Sequence, residues 1–208
     1  MATTKSSGTP PVDRRVRRTR TTLERALIDL VGEQRDLAQI SVADVADRAE
    51  VSRSTFYDHY KDVHELAEAA STSMIDDMIG FVLDLDPTRT GASDEDPDPA
   101  LTAFFAHFAQ HAGLYRSLLG PTGSARVIEH VRRRTTATAY HSAHLAPADG
   151  VEPDPSDLPH DVPAAFVAGA LLGVATDWLL RGCPRPPAEM TRLTKPLLTA
   201  LADGSSGR

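Results

Sequence analysis

Residues able to recognise a charged or hydrogen-bonding partner gather in one stretch: Arg53, Ser54, Thr55, Tyr57, His59 and Lys61, interleaved with the apolar Val51, Phe56 and Tyr60. An arginine can donate two hydrogen bonds to one guanine edge, and hydroxyl and imidazole groups reach phosphate oxygens. If the polar members share one face, this is the chemistry of reading a nucleic-acid duplex. A second basic group lies ahead of it, with Arg14, Arg15, Arg17, Arg18 and Arg20 falling within seven residues. Residues 1–61 hold 11 basic and 9 acidic side chains, and the remainder holds 11 and 20. A slightly basic head on an acidic body implies that the head alone meets an anion.

Other spacings are weaker. His107 and His111, and His141 and His144, stand at distances a metal could use, but no acid or cysteine accompanies them in a ligand pattern. There is no Gly-x-Ser-x-Gly, no phosphate loop and no Gly-x-Gly-x-x-Gly, so neither an enzyme nor a cofactor is expected. The single cysteine, Cys183, excludes a disulfide within the chain and fits a reducing cytoplasm. Residues 1–22 contain no apolar stretch of the signal-peptide kind. Val162 to Leu180 approaches a membrane span in length, yet it is rich in Ala and Gly and contains Pro163 and Asp177. It reads as a helix buried in a protein–protein interface, and no membrane partner is expected.

The elements that position these residues are helical. Aromatics make up only 5% of the chain, Ala and Leu are frequent, and no strand-like alternation occurs. Residues 1–13 are expected to be a disordered tail. A first helix starts near Thr19 to Thr22, with Leu23, Ala26, Leu27, Leu30 and Val31 on one face. Ser41 and Asp44 form a capping box for a second, short helix. Ser52 caps a third, at about Arg53 to His59. Asp62 caps a fourth, with an apolar face running from Val63 to Leu85. Acidic, proline-rich loops are expected at 86–99 and 147–161. Between and after them come helices at 100–112 (stopped by Gly113), 114–119, 124–144, 162–181 and 187–203, and a mobile tail follows at 204–208. The fold class is all-α with about nine helices.

Three short helices in some 45 residues, the second and third joined by a tight turn, make a helix-turn-helix. The stretch Ser41 to Tyr60, then Lys61-Asp62-Val63-His64-Glu65-Leu66, resembles the TetR family of regulators. The resemblance implies a helix-turn-helix DNA-binding domain at 14–61 and an effector-binding and dimerisation domain at 62–203. It departs from the family at Glu50, where glycine is usual, and at Val63, where lysine is usual. In the family the positions of Tyr57 and His59 usually touch phosphates, and Arg53, Ser54 and Thr55 open the recognition helix. Ser41, Ser52 and Lys61 join them as candidate DNA contacts. Arg17, Arg18 and Arg20 are expected to reach the backbone or the adjacent minor groove as a basic arm.

The resemblance also implies a homodimer on a palindromic double-stranded operator and a small-molecule effector that releases it, hence a ligand-responsive repressor. The alternative is a TetR-like regulator that acts through a protein partner without binding an operator. Dimer contacts are expected from Val167, Ala170, Leu171, Val174, Trp178, Leu193 and Leu197, with Gly169 and Gly173 allowing close approach. The effector pocket is expected from Met78, Phe81, Phe104, His107, Phe108, His111, Tyr115, Tyr140 and Trp178.

Overall fold

The structure, a computed structural model, describes residues 11–33, 36–84, 98–144 and 159–205. The elements are α1 (Pro11–Gly32), a 3-10 turn (Leu37–Gln39), α2 (Val42–Arg48), α3 (Arg53–Tyr57), α4 (Val63–Asp84) and α5 (Pro99–Gln110). Then follow α6 (Ala112–Leu119), α7 (Ala125–His144), α8 (Val162–Leu180) and α9 (Pro187–Ser205). No strand occurs among the described residues. The chain forms two compact units, Met1–Ala70 and Ser71–Arg208, and the division falls inside α4.

In the first unit, α1 begins eight residues or more before the expected start, so Pro11 to Arg18 are helix rather than tail or arm. Arg14, Arg15, Arg17, Arg18 and Arg20 are exposed on its leading turns. An arginine run reads as a solvated tail by composition, but arginine is also a good helix former. The tail expected at residues 1–10 lies outside the described residues. Leu23, Ala26, Leu27, Leu30 and Val31 are all buried, as the spacing predicts.

Local hydrogen bonds fix the short elements. Asp36 accepts from Ala38 N at the start of the 3-10 turn, which the sequence reading did not anticipate. The Ser41–Asp44 capping box closes in both directions, at 3.2 Å from Asp44 N to Ser41 Oγ and 2.9 Å from Ser41 N to Asp44 Oδ2. Ser52 Oγ accepts from Thr55 N at 3.1 Å. Phe56 is fully buried, and Tyr60 is buried with its hydroxyl donating to Glu24 of α1 at 2.9 Å. Burial and the Glu24 carboxylate hold that phenol protonated, well above its usual range. Arg48 Nη2 meets Glu33 Oε1 at 2.7 Å just beyond α1. The turn between α2 and α3 runs through Glu50 at φ 54°, in the left-handed region that glycine enters freely.

In the second unit, α7 packs chiefly on α8, and α5 on α9. Phe105, Phe108, Leu114, Tyr115 and Leu118 are fully buried at its centre. The rings of Phe104 and Phe108 lie 4.9 Å apart, those of Phe108 and Tyr115 4.6 Å, and those of Phe105 and Trp178 5.6 Å. His111, not Gly113, separates α5 from α6, and Gly113 lies inside α6. Gly204 and Ser205, expected in the carboxy-terminal tail, are helical because α9 continues to Ser205, and residues 206–208 lie outside the described residues. Asp98 and Asp161 cap α5 and α8 by accepting from Leu101 N and Ala164 N.

His107 Nε2 and the Tyr115 hydroxyl share a hydrogen bond of 2.7 Å inside this core. Burial first, and neighbouring His111 second, lower the His107 pKa from 6.5 to about 4. Burial also lowers that of His111.

Two outcomes are expected. Left-handed backbone costs a non-glycine residue about 1–2 kcal/mol, so Glu50→Gly should stabilise the first unit by about 1 kcal/mol after glycine's own entropy cost. A urea titration followed by circular dichroism will read it, and destabilisation would contradict the assigned strain. The second outcome concerns acid. Between pH 6.5 and 4 the unfolded chain binds protons that folded His107 refuses, so its contribution is complete above about 6.5 and is lost as pH falls toward 4. Melting temperature should therefore drop across that window, and His107→Gln should flatten part of the drop.

Candidate functional site

The first unit presents a polar surface on α3. Arg53, Ser54 and Tyr57 are exposed, Tyr57 to 59%, while Phe56 between them points into the core. Tyr57 sets its ring edge-on against Phe56 at 5.6 Å, which steadies an otherwise exposed aromatic. His59 and Thr55 are half-buried, and Lys61 is exposed. Ser41 and Ser52 sit at the two helix starts with their hydroxyls engaged in capping. The Ser52 hydroxyl also lies 2.7 Å from Ser54 Oγ and 2.9 Å from Thr55 Oγ1. Arg17, Arg18 and Arg20 belong to the same unit and stand on α1, so the basic arm is a helical extension.

Val63, where the family usually has lysine, opens α4 half-buried and carries no charge. Lys61 N donates to Glu65 Oε2 at 2.7 Å, and Glu65 N donates to Asp62 Oδ1 at 2.8 Å. The start of α4 is thus capped by side chains.

The second unit contains a cavity of about 480 Å³. Met78, Ile79 and Val82 of α4 line it together with Leu101 and Phe104 of α5. α7 contributes Thr135, Thr138, Ala139 and Ser142; α8 contributes Val167 and Leu171; and α9 contributes Lys195, Leu198 and Thr199. Of the residues the sequence suggested for a pocket, Met78 and Phe104 line this cavity. His107, Phe108 and Tyr115 belong instead to the aromatic core, and His111 is half-buried beside His107 with rings 5.4 Å apart. Phe81 is 57% exposed and Tyr140 is half-buried, both outside the lining. Trp178 is buried against Phe105, with its Nε1 donating to the Arg185 carbonyl at 3.0 Å. α7 lines the cavity through residues other than the expected Tyr140. Its signal was present as small side chains at 135, 138, 139 and 142, spaced for one helix face.

α8 is apolar all round, and its outward face is not the expected one. Leu171 and Trp178 are buried and Val167 lines the cavity, so these do not form the outer surface. The exposed stripe is Val162, Phe166, Gly169, Gly173 and Leu180. A Cβ at Gly169 or Gly173 would touch nothing within 4 Å, so the stripe is flat and open there. Ala170 and Val174 flank it half-buried. On α9, Leu193 and Leu197 are exposed. By length and composition α8 could also cross a membrane. No cluster of three metal-ligating side chains occurs among the described residues.

Two family models match. Residues 32–70 match the model for bacterial regulatory proteins of the tetR family, and residues 95–200 match a transcriptional regulator C-terminal region of TetR type. An HTH-type transcriptional regulator of Bacillus subtilis (strain 168), YxbF, is 42% identical over 57 residues. That match spans 27% of this chain and 15% of the relative. A tetR-family transcriptional regulator from Streptomyces coelicolor superposes with a TM-score of 0.61 at 21% identity, covering 91% of this chain and 82% of that one. The TetR family repressor AlkX from Dietzia sp. superposes at 0.55 and 17% identity, covering 88% and 95%. FadR from Bacillus subtilis superposes at 0.54 and 11% identity, covering 86% and 96%. With its amino-terminal reading motif and its carboxy-terminal region both matched, the chain belongs to the TetR family of transcriptional regulators.

Proposed function

We propose that the chain is a sequence-specific DNA-binding regulator that reads a palindromic operator as a homodimer and releases it when a small molecule enters the cavity of the second unit. The observation that carries the DNA reading is the α3 surface: Arg53, Ser54 and Tyr57 exposed over a fully buried Phe56. Arg53 is assigned to a base edge and Tyr57, His59 and Lys61 to phosphates. The helical arginines of α1 add phosphate contacts. Double-stranded DNA is therefore the partner.

The stripe of Val162, Phe166, Gly169, Gly173 and Leu180 with Leu193 and Leu197 is assigned to the second copy. Glycines there let two helices approach closely, and two-fold pairing makes one patch complementary to itself. Two recognition helices about 34 Å apart then match one DNA turn. α4 carries both the residues after the reading motif and Met78, Ile79 and Val82 of the cavity lining. A ligand that shifts α4 thus has a covalent route to the reading unit. The structural relatives support a ligand role: FadR was solved with stearoyl-CoA, and AlkX is implicated in n-alkane biodegradation.

The test is fluorescence anisotropy with duplex from upstream of the chain's own gene, against a scrambled duplex. Arg53→Ala and Tyr57→Ala should each weaken specific binding about tenfold or more while leaving circular dichroism unchanged. The logarithm of affinity should fall with log salt at about −0.9 per phosphate contact. Salt-independent binding, or no preference for any sequence in a genomic selection, would favour action through a protein partner. For the dimer, Phe166→Asp with Leu197→Asp should give a folded monomer by sedimentation and reduce operator affinity roughly 100-fold by loss of linked half-sites. A variant that remains dimeric would move the interface elsewhere.

A further inference from the structure

The cavity of the second unit grades from dry to polar. Met78, Leu101, Phe104 and Leu171 on its walls are buried, whereas Asp98 and Lys195 are half-buried and Ser142 and Thr199 are exposed. Along α7, Thr135 lies seven residues before Ser142, about 10 Å deeper at helical rise. Such a gradient suits a molecule with an apolar body and one polar end.

The polar lining groups differ in whether they are already satisfied. Thr138 donates to the Arg134 carbonyl at 3.0 Å, Ser142 to that of Thr138 at 2.9 Å, and Thr199 to that of Lys195 at 3.2 Å. Thr135 breaks this pattern. It is only 8% exposed, it lines the cavity, and its hydroxyl donates to no partner among the described residues. That hydroxyl is open to the cavity and free to bond an oxygen brought by the ligand.

Charge at the polar end decides the head group. Lys195 is the cation of the lining, and its ammonium has no ion-pair or hydrogen-bond partner among the described residues. Asp98 is the acid of the lining, but its Oδ1 accepts from Leu101 N at 2.9 Å as the cap of α5. The positive end of the α5 dipole offsets that carboxylate. Lys195 has no comparable compensation. At about 30 Å³ for each water-sized unit, the cavity of about 480 Å³ has room for roughly sixteen non-hydrogen atoms.

We propose that the effector is an oxygen-bearing monocarboxylate of about a dozen carbons. Its carboxylate meets Lys195 at the polar end, its body lies against Met78, Phe104 and Leu171, and a further oxygen on that body accepts from Thr135. This rests on the cavity being the effector site, and it names the ligand class for that site.

The experiment is calorimetry on the full chain with four probes of one length, each below its micelle concentration: dodecanoate, 12-hydroxydodecanoate, dodecanol and dodecyltrimethylammonium. Ala139→Trp, which fills the cavity, identifies binding there. Dodecanoate should bind at least tenfold tighter than dodecanol, and Lys195→Met should remove that advantage without weakening dodecanol. The hydroxy acid should bind tighter than dodecanoate, and Thr135→Val should abolish the difference. Equal binding of dodecanoate and dodecanol, or tighter binding of the ammonium probe, would overturn the head-group assignment while leaving the cavity as a ligand site. A hydroxy acid no tighter than dodecanoate would overturn the Thr135 assignment. If no probe binds in a manner sensitive to Ala139→Trp, the reading of the cavity as effector site fails with it.

Discussion

An isolated helix of five residues has no stability of its own in water, because nucleation costs more than one or two backbone bonds return. α3 nevertheless has to present its side chains in fixed directions. It is held at its start by the Ser52 cap and through its middle by Phe56, which is buried completely. α2 is similarly short and depends on the Ser41–Asp44 capping box. Tyr60, bonded to Glu24, then ties the segment after α3 back to α1, the only long helix lying wholly within the first unit among the described residues. The order of events in the chain follows from that constraint: caps define the short helices, and α1 gives them a surface to pack on.

This dependence explains why the first unit was so legible. Caps are local. Ser, Asp and Thr at fixed offsets announce themselves in the sequence, and both short helices begin where those residues stand. Phe56 and Tyr60 are inward-facing aromatics in a polar stretch and have few other places to go. The leading turns of α1 are hard to see in the sequence for the opposite reason. Five arginines lower the hydropathy to that of a tail, and helical propensity is too weak a signal to override composition.

The second unit is less legible because its signals are less directional. α8 has apolar side chains on every side, so periodicity cannot say which face turns inward. Leu171 and Trp178 go to the core while Phe166 and Val162 remain outside. The cavity depends on a different kind of residue. Thr135, Thr138, Ala139 and Ser142 leave space by being small, whereas sequence reading searches for bulk. Large aromatics such as Phe108 and Tyr115 were natural pocket candidates, yet their size makes them core. The two long acidic loops joining these helices fall outside the described residues, although the caps that follow them, Asp98 and Asp161, are in place.

Glu50 bears on how this protein can change over time. Its left-handed backbone means that the reading unit does not have all the stability its fold allows. On the proposed DNA reading, the exposed positions of α3 are the ones that must vary for a new operator, and most substitutions lose some stability. A chain with glycine already in the turn has no such compensation left at that position. This chain does. One substitution, separate in role from the exposed α3 side chains though near them in sequence, could restore what a costly change of specificity removes, and so widen the set of operators within its evolutionary reach.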